Sequence, residues 1–291
     1  MDSMGYVVAL GTFDGLHKGH CAVLNAALEF KNLTPLVVTF DEPPKRKNAD
    51  TLVSMLMTFE NKKARLNEMG FSEIFVLDYQ SIHSLTPSEF LDMLFSKYNI
   101  KAVVCGFNYR FGKNRSGDAA NLSDYCRSRG VESVVVPASN VSGQVVSSTL
   151  IRELISNGNI AFANMLLGRP FAFESEVIHG DERGRTIGFP TINQRLDEKL
   201  VVPKFGVYAS SVTIDGKEYS AITDIGIRPT FLLKTPICET YVIDFNGDIY
   251  GKTVTVKLLE FLREEIRFDN IDDLKAAIEV DKASAIKIFN S

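Results

Sequence analysis

In the first half of the chain, apolar residues fall in short unbroken runs: Tyr6–Leu10, Leu36–Phe40, Ile74–Leu77, Ala102–Cys105 and Val131–Val136. Runs of this length, rich in valine, suit strands buried on both faces of a parallel sheet. Between them the apolar spacing becomes helical, near His20–Phe30, Ser54–Met69, Pro87–Lys97 and Asp118–Arg129. Thr86 before Pro87, with Glu89 in the first turn, supplies the residue types of a capped helix start. Strand–helix alternation of this kind predicts an open α/β parallel sheet with right-handed crossovers.

The pattern changes near Phe171. Segments Phe173–His179, Val207–Ile214, Glu218–Ile227, Cys238–Phe245 and Thr253–Phe261 mostly alternate apolar with polar residues, the period of strands with one buried face. Asp215-Gly216 and Asn246-Gly247 carry the residues of tight hairpin turns. The pattern predicts a small antiparallel β-barrel or sheet. A C-terminal helix over Ile271–Phe289 would lay Leu274, Ile278, Ala285, Ile286 and Phe289 on it. Two helical stretches, Leu150–Ser156 and Ile160–Leu166 with Gly158 as a stop between them, precede the change. The boundary is placed near Leu167-Gly168-Arg169-Pro170, giving domains 1–167 and 168–291.

Composition narrows the class. The 291 residues suffice for two domains of ordinary size, and 45% hydrophobic with 23% charged residues is a globular balance. A net charge of −4 speaks against general nucleic-acid affinity. No apolar run approaches the ~18 residues of a membrane span, and Met1-Asp2-Ser3-Met4-Gly5-Tyr6 lacks the basic and apolar regions of a secretory signal. Cys21, Cys105, Cys126 and Cys238 show no metal-ligand spacing and are too few to staple the chain, so free thiols are expected. These features predict a cytoplasmic protein with neither nucleic acid nor membrane among its partners.

Gly11-Thr12-Phe13-Asp14-Gly15-Leu16-His17-Lys18-Gly19-His20 lies between a predicted buried strand and a helix, at the sheet edge where open α/β folds bind ligands. Glycines 11, 15 and 19 let the backbone approach a bulky anion, and the helix start offers N–H groups and a positive dipole end. His17 and His20 can both donate to phosphate oxygens. Read alone, the segment is also a Gly-rich turn with packed histidines. Two further segments bear on it. Gly106-Phe107-Asn108-Tyr109-Arg110-Phe111-Gly112 follows another predicted strand, and Ser147-Ser148-Thr149-Leu150-Ile151-Arg152 opens a helix. A guanidinium one turn in can grip a polyphosphate through two parallel hydrogen bonds. Either segment alone also reads as a solvated loop or a capped helix, but all three fall on one edge of the predicted sheet.

Together these residues resemble the nucleotidyltransferase family whose signature is Gly-x-Phe-Asp-Gly-x-His-x-Gly-His, in its FMN adenylyltransferase branch. The resemblance implies a Rossmann-like domain in which ATP lies on the His17–His20 turn. FMN phosphate would attack the α-phosphorus and expel pyrophosphate without a covalent intermediate. His17, His20 and Arg152, with magnesium, would align the reactants and stabilise charge. The nucleotide would be held by Gly11, Phe13, Asp14, Gly15, His17, His20, Asn108, Ser147, Ser148, Thr149 and Arg152, and the flavin touched by Asn108 and Arg110.

A second chemical segment runs from Gly180 to Asn193, with glycines at 180, 184 and 188. It does not match the P-loop pattern, yet backbone N–H groups of a Gly-rich loop can wrap phosphates. Thr191 and Asn193 offer oxygen ligands suited to magnesium, and their spacing puts both on one face of an extended segment. Composition alone favours a plain hairpin loop and a polar strand. Gly188-Phe189-Pro190-Thr191-Ile192-Asn193, however, resembles the riboflavin kinase family. Gly206-Val207-Tyr208-Ala209, Ile225-Gly226-Ile227-Arg228-Pro229-Thr230-Phe231 and the stretch from Glu239 to Gly251 resemble it as well. The resemblance implies Glu239 as the catalytic base for the ribityl 5′-hydroxyl, and Gly180, Gly184 and Gly188 at the nucleotide. It places Thr191 and Asn193 at magnesium, with Phe189 and Arg263 lining the flavin. Asp224, Tyr241 and Ile192 depart from the family's usual Asn, His and Ala. Tyr241 would share a strand face with Glu239 and so bears on flavin affinity and on the base.

The resemblance spans about residues 6–289 in the order of the prokaryotic bifunctional riboflavin kinase/FMN adenylyltransferase (FAD synthetase) family. Its implied substrates and products are riboflavin, FMN, FAD and ATP, with Mg2+ as cofactor. Two other readings stay open, an adenylyltransferase with weak or lost kinase activity and a flavin-binding regulator without turnover. His83 and His179 read as ordinary loop or strand residues, and Lys45-Arg46-Lys47 as a solvated loop or a gatherer of phosphates.

Overall fold

The computed structural model describes residues 5–44, 46–48, 51–180, 184, 187–227 and 236–291. Lys45 and the side chains of Arg46 and Lys47 lie outside the described residues, as do Asp181–Arg183, Arg185, Thr186 and 228–235. The chain divides into two compact units, Met1–Ser148 and Thr149–Ser291.

The main strands of the first unit are β1 (Tyr6–Leu10), β2 (Thr34–Thr39), β3 (Glu73–Val76), β4 (Ile100–Gly106) and β5 (Glu132–Val136), all parallel. Their spatial order is β3-β2-β1-β4-β5. Helices α1 (Lys18–Leu28), α2 (Phe59–Glu68), α3 (Tyr79–Ile82), α4 (Pro87–Lys97) and α5 (Ala119–Ser128) lie between them in the chain. Because strand side chains alternate, the apolar runs fill two cores. Val8, Leu10, Leu36, Val38 and Val103 pack with Phe90 and Leu94 of α4 and Leu122 of α5. Val7, Ala9, Val37, Ala102 and Val104 pack with Val23, Leu24 and Ala27 of α1 and Leu66 of α2. The strand order reverses between β1 and β4, the switch point at which open α/β sheets leave a crevice. There Leu10 is in register with both Val38 and Cys105, so the loops from Gly11 and Gly106 start side by side.

Local chemistry sets the helix ends. Thr86 and Glu89 form the expected capping box, with Glu89 N–H donating to Thr86 Oγ1 at 3.3 Å and Thr86 N–H to Glu89 Oε2 at 2.7 Å. The helix predicted from Ser54 begins only at Phe59, capped by the Thr58 hydroxyl. Met55, Leu56 and Met57 are instead buried in the connection before it, where they serve the loop after β1.

The second unit holds α6, whose range Ser148–Ser156 starts at the division, and α7 (Ile160–Leu167). Then come strands β6 (Phe171–Glu176), β7 (Thr191–Arg195), β8 (Gly206–Ile214), β9 (Lys217–Gly226), β10 (Ile237–Val242) and β11 (Thr253–Arg263), and helix α8 (Ile271–Phe289). The six strands form one curled antiparallel sheet in the order β6-β11-β8-β9-β10-β7. A single bridge, Ile178 to Asn193, links its two edges. Tyr208, Val212, Ile225, Cys238, Val256 and Leu258 are buried on the strands. With them lies a chain of hydroxyls, Ser210 to Thr223 at 2.8 Å and Thr223 to Thr240 at 2.9 Å. The opposite face carries Val207, Ala209 and Ile222, packed with Ala285, Ile278 and Ile288 of α8. Asn164 of α7 ties that helix to the sheet through the carbonyl of Leu258 and the N–H of Phe171.

Two further expectations are corrected here. Asp215-Gly216 is a tight hairpin with φ of +48° and +79°, as a type I′ turn requires, but Asn246-Gly247 closes no hairpin. The chain runs from Val242 to Thr253 through an irregular connection, and the strands it links are not neighbours in the sheet. Ile278 and Ala285 of α8 pack on the sheet as expected, but Ile286 is exposed while Ile288 packs inward and Asp281 is buried, because a charged residue occupies the centre of the stripe. β7 has no apolar run to announce it, being made of Thr-Ile-Asn-Gln-Arg. The four cysteines are free, and burial pushes the Cys105 thiol up to about 12 and Cys126 to about 11.

Candidate active sites

The loop after β1 is built around backbone conformations that few residues accept. Phe13, Gly15 and Leu16 have φ of +50°, +80° and +43°. A Cβ on Gly15 would lie 2.7 Å from Leu56, so glycine is required there twice over. Asp14, nearly fully buried, accepts the N–H of Leu56 at 2.9 Å. The Ser148 hydroxyl, at the end of the first unit, donates to the Asp14 carbonyl at 3.0 Å. The aspartate thus shapes the loop through its neighbours.

His17 caps α1. Its Nδ1 accepts the backbone N–H of His20 at 3.2 Å, which makes Nε2 the donor nitrogen of the neutral ring. The His17 and His20 rings stack at 3.6 Å, and Phe13 meets His20 edge-on at 5.5 Å. A Cβ on Gly19 would stand 3.2 Å from the His17 ring and 3.8 Å from Ser139 Oγ. The segment after β5 therefore also reaches the head of α1. At the end of β4, Asn108 is exposed, and its Oδ1 lies 3.6 Å from the Cβ position of Gly106. Arg110 is exposed and paired with Asp118 at 3.0 Å. Among the predicted residues of the first unit, the structure gathers Gly11, Phe13, Asp14, Gly15, His17, His20 and Ser148 at one helix start. Asn108 and Arg110 sit on the adjacent strand-end loop, and Ser147 precedes α6. Thr149 and Arg152 lie in α6, Arg152 one turn beyond Ser148.

Sequence reading missed Lys62 of α2. It is 3% exposed and donates to the carbonyls of Thr12, at 3.3 Å, and Phe40. A lone lysine in a polar helix gives no signal of this in the sequence.

In the second unit, the ladder of β7 with β10 sets Asn193 directly opposite Glu239 and Thr191 opposite Tyr241. Thr191, Asn193, Glu239 and Tyr241 therefore share one face of the sheet. Asp224 of β9 is opposite Glu239 on its other side. Asn193 is buried against Gly180, where a Cβ would fall 2.4 Å from its amide. Gly184 accepts the Phe189 N–H at 2.8 Å, and its own Cβ position is 3.5 Å from Thr191 Oγ1. Gly188 has φ of +93°. Phe189 meets the Tyr241 ring edge-on at 5.3 Å. His179 stacks on Tyr250 at 3.9 Å. Arg263 of β11 gives its Nε and Nη2 to the buried Asp281 of α8, at 3.1 and 2.8 Å to Oδ2.

Among the described residues no group of three or more His, Cys, Asp or Glu is placed to hold a metal, and no helix is long and apolar enough to cross a membrane. Neutral oxygens such as Thr191 Oγ1 and Asn193 Oδ1 fit a hard cation that keeps water and substrate phosphate as its other ligands.

Comparison with known proteins bears on both units. The FAD synthetase family model matches residues 1–150, and the riboflavin kinase model residues 167–289. The bifunctional riboflavin kinase/FMN adenylyltransferase of Listeria monocytogenes is 36% identical, over 97% of this chain and 92% of its own. Its namesake from Bacillus subtilis is 34% identical, over 98% and 93%. A crystal structure from Streptococcus pneumoniae, named as a macrolide-efflux protein, is 34% identical with a TM-score of 0.88, covering 98% of this chain and 95% of that one. With both family models matched in order and relatives similar along nearly their whole length, this chain belongs to the bifunctional riboflavin kinase/FMN adenylyltransferase family.

Proposed function

We propose that this chain phosphorylates riboflavin to FMN on its curled sheet and adenylylates FMN to FAD on its α/β sheet, with ATP as co-substrate of both reactions. The observation that carries the reading is the ladder rung that sets Glu239 across from Asn193, which is itself packed against Gly180, in a chain whose other half holds the His17-capped helix. The functional division is placed at 1–167 and 168–291, in keeping with family models that end at 150 and begin at 167. A cytoplasmic location fits flavin and ATP as its partners.

At the kinase site Glu239 accepts the proton of the ribityl 5′-hydroxyl as that oxygen takes the γ-phosphoryl group, and ADP leaves. Gly180, Gly184 and Gly188 cradle the nucleotide with backbone N–H groups. Thr191 and Asn193 are the residues that would hold Mg2+, which would supply charge neutralisation at the phosphates. Phe189 and Tyr241 give the flavin an apolar edge, and Arg263 acts there as the fixed half of its Asp281 pair.

At the adenylyltransferase site, Gly11, Phe13, Asp14 and Gly15 shape the loop on which ATP lies. His17 donates through Nε2, and His20 and Arg152 bind the same anion; Ser147, Ser148 and Thr149 offer the hydroxyls and N–H groups of a helix start. Asn108 and Arg110 orient FMN, whose phosphate attacks the α-phosphorus in line as pyrophosphate departs. Alignment and charge stabilisation do the catalytic work.

Riboflavin and FMN, supplied separately with ATP and Mg2+ and followed by chromatography, test this directly. The expected products are FMN with ADP from the first and FAD with pyrophosphate from the second. FAD from FMN without FMN from riboflavin would confine the function to the α/β half.

A further inference from the structure

We propose that Lys62 is a positioning residue for adenylyl transfer: its buried ammonium fixes the Gly11–His20 loop from beneath and lends that phosphate cradle a positive charge. The inference rests on reading the loop as the ATP site. Lys62 stands in the first turn of α2, 3% exposed, and donates to the carbonyls of Thr12 and Phe40. Thr12 directly precedes the strained Phe13, and Phe40 directly follows β2, so one ammonium ties the mouth of the loop to the end of the neighbouring strand. The Thr39 hydroxyl donates to the same Thr12 carbonyl at 2.9 Å.

Lysine is rarely buried this fully because its charge loses water. A neutral donor would tie two carbonyls at a smaller desolvation cost, and that contrast is what assigns the charge a role. The charges that act on it are Asp14, from the loop after β1, and Asp41, after β2; the Phe59 ring lies 5.4 Å from Nζ. His17 and His20 follow in the same loop, and Glu60, Lys63 and Arg65 share its helix. Burial lowers the Lys62 ammonium to about 8, against the opposing pull of Asp14 and Asp41. Below that pH the charge is present in the free protein, and above it the charge is lost. A bound polyphosphate favours the charged form and draws the proton back.

The test uses the full chain, with Lys62→Met, Lys62→Arg and Asp41→Asn. For each, kcat and KM for ATP in FMN-to-FAD conversion are measured from about pH 6.5 to about pH 9.5, spanning the titration. Riboflavin phosphorylation in the same preparation serves as control. Lys62→Met is expected to raise KM for ATP roughly tenfold to a hundredfold, the loss expected for hydrogen bonds made by a charged group. Saturating kcat should change little, and the alkaline fall in kcat/KM near pH 8 should vanish. Lys62→Arg should restore most of the KM and carry no alkaline limb, because arginine stays charged. Asp41→Asn, an exposed and fold-neutral change, removes a charge that supports protonation and should move the limb to lower pH. Wild-type KM and pH profile in Lys62→Met, or an unmoved limb in Asp41→Asn, would overturn the inference while FAD formation by the wild type upholds the site. No FAD formation by the wild type would overturn both.

Discussion

At position 17 an imidazole stands where a hydroxyl or carboxylate usually caps a helix, accepting the His20 N–H at 3.2 Å through Nδ1. One ring nitrogen is committed to structure, and the other is the proposed donor for phosphate. His17→Asn should keep the cap but remove that donor, lowering FAD formation by about 10²–10³-fold with little change in thermal midpoint. His17→Ala should lose both, with an added cost of about 1 kcal/mol in stability. Glu239 likewise has its place fixed by the backbone, on the rung opposite Asn193. Glu239→Gln preserves shape and removes the proposed base, so FMN formation should fall by about 10²–10⁴-fold while FMN-to-FAD conversion continues.

Elements decide whether such residues meet. Gly15→Ala places a methyl group 2.7 Å from Leu56 at a φ of +80°. It should cost about 1–2 kcal/mol, seen as a lower thermal midpoint and a loss of FAD formation. In α8, Asp281→Ala removes the carboxylate partner of Arg263, which is partly exposed and keeps the Glu264 carbonyl; the loss should be about 1.5–3 kcal/mol, the range for a charged hydrogen bond. Replacing both with Leu and Met should recover much of that, and thermal unfolding of the two variants checks it. The same elements show what the sequence could say. β1, β4 and the hairpin at Asp215-Gly216 were legible because valine runs and positive-φ residues leave little choice. The late start of α2 was not, because Met55, Leu56 and Met57 look helical by composition and are used as an extended clasp. Nor were β7, in which Ile192 is the one apolar residue, and the buried Lys62 and Asp281, whose partners come from distant segments. The site motifs were readable as residues, while the rung joining Asn193 to Glu239 needed the fold.

At the scale of the whole molecule, the proposed function requires two independent sites joined by a diffusible product. His17→Asn retains the kinase site and Glu239→Gln retains the adenylyltransferase site, so each variant alone should fail to turn riboflavin into FAD. Mixing the two purified variants with riboflavin, ATP and Mg2+ is the most direct measurement. The account predicts that FMN accumulates with the first, that nothing forms with the second, and that the mixture makes FAD. A mixture that yields no FAD, although each variant keeps its one remaining activity, would contradict it.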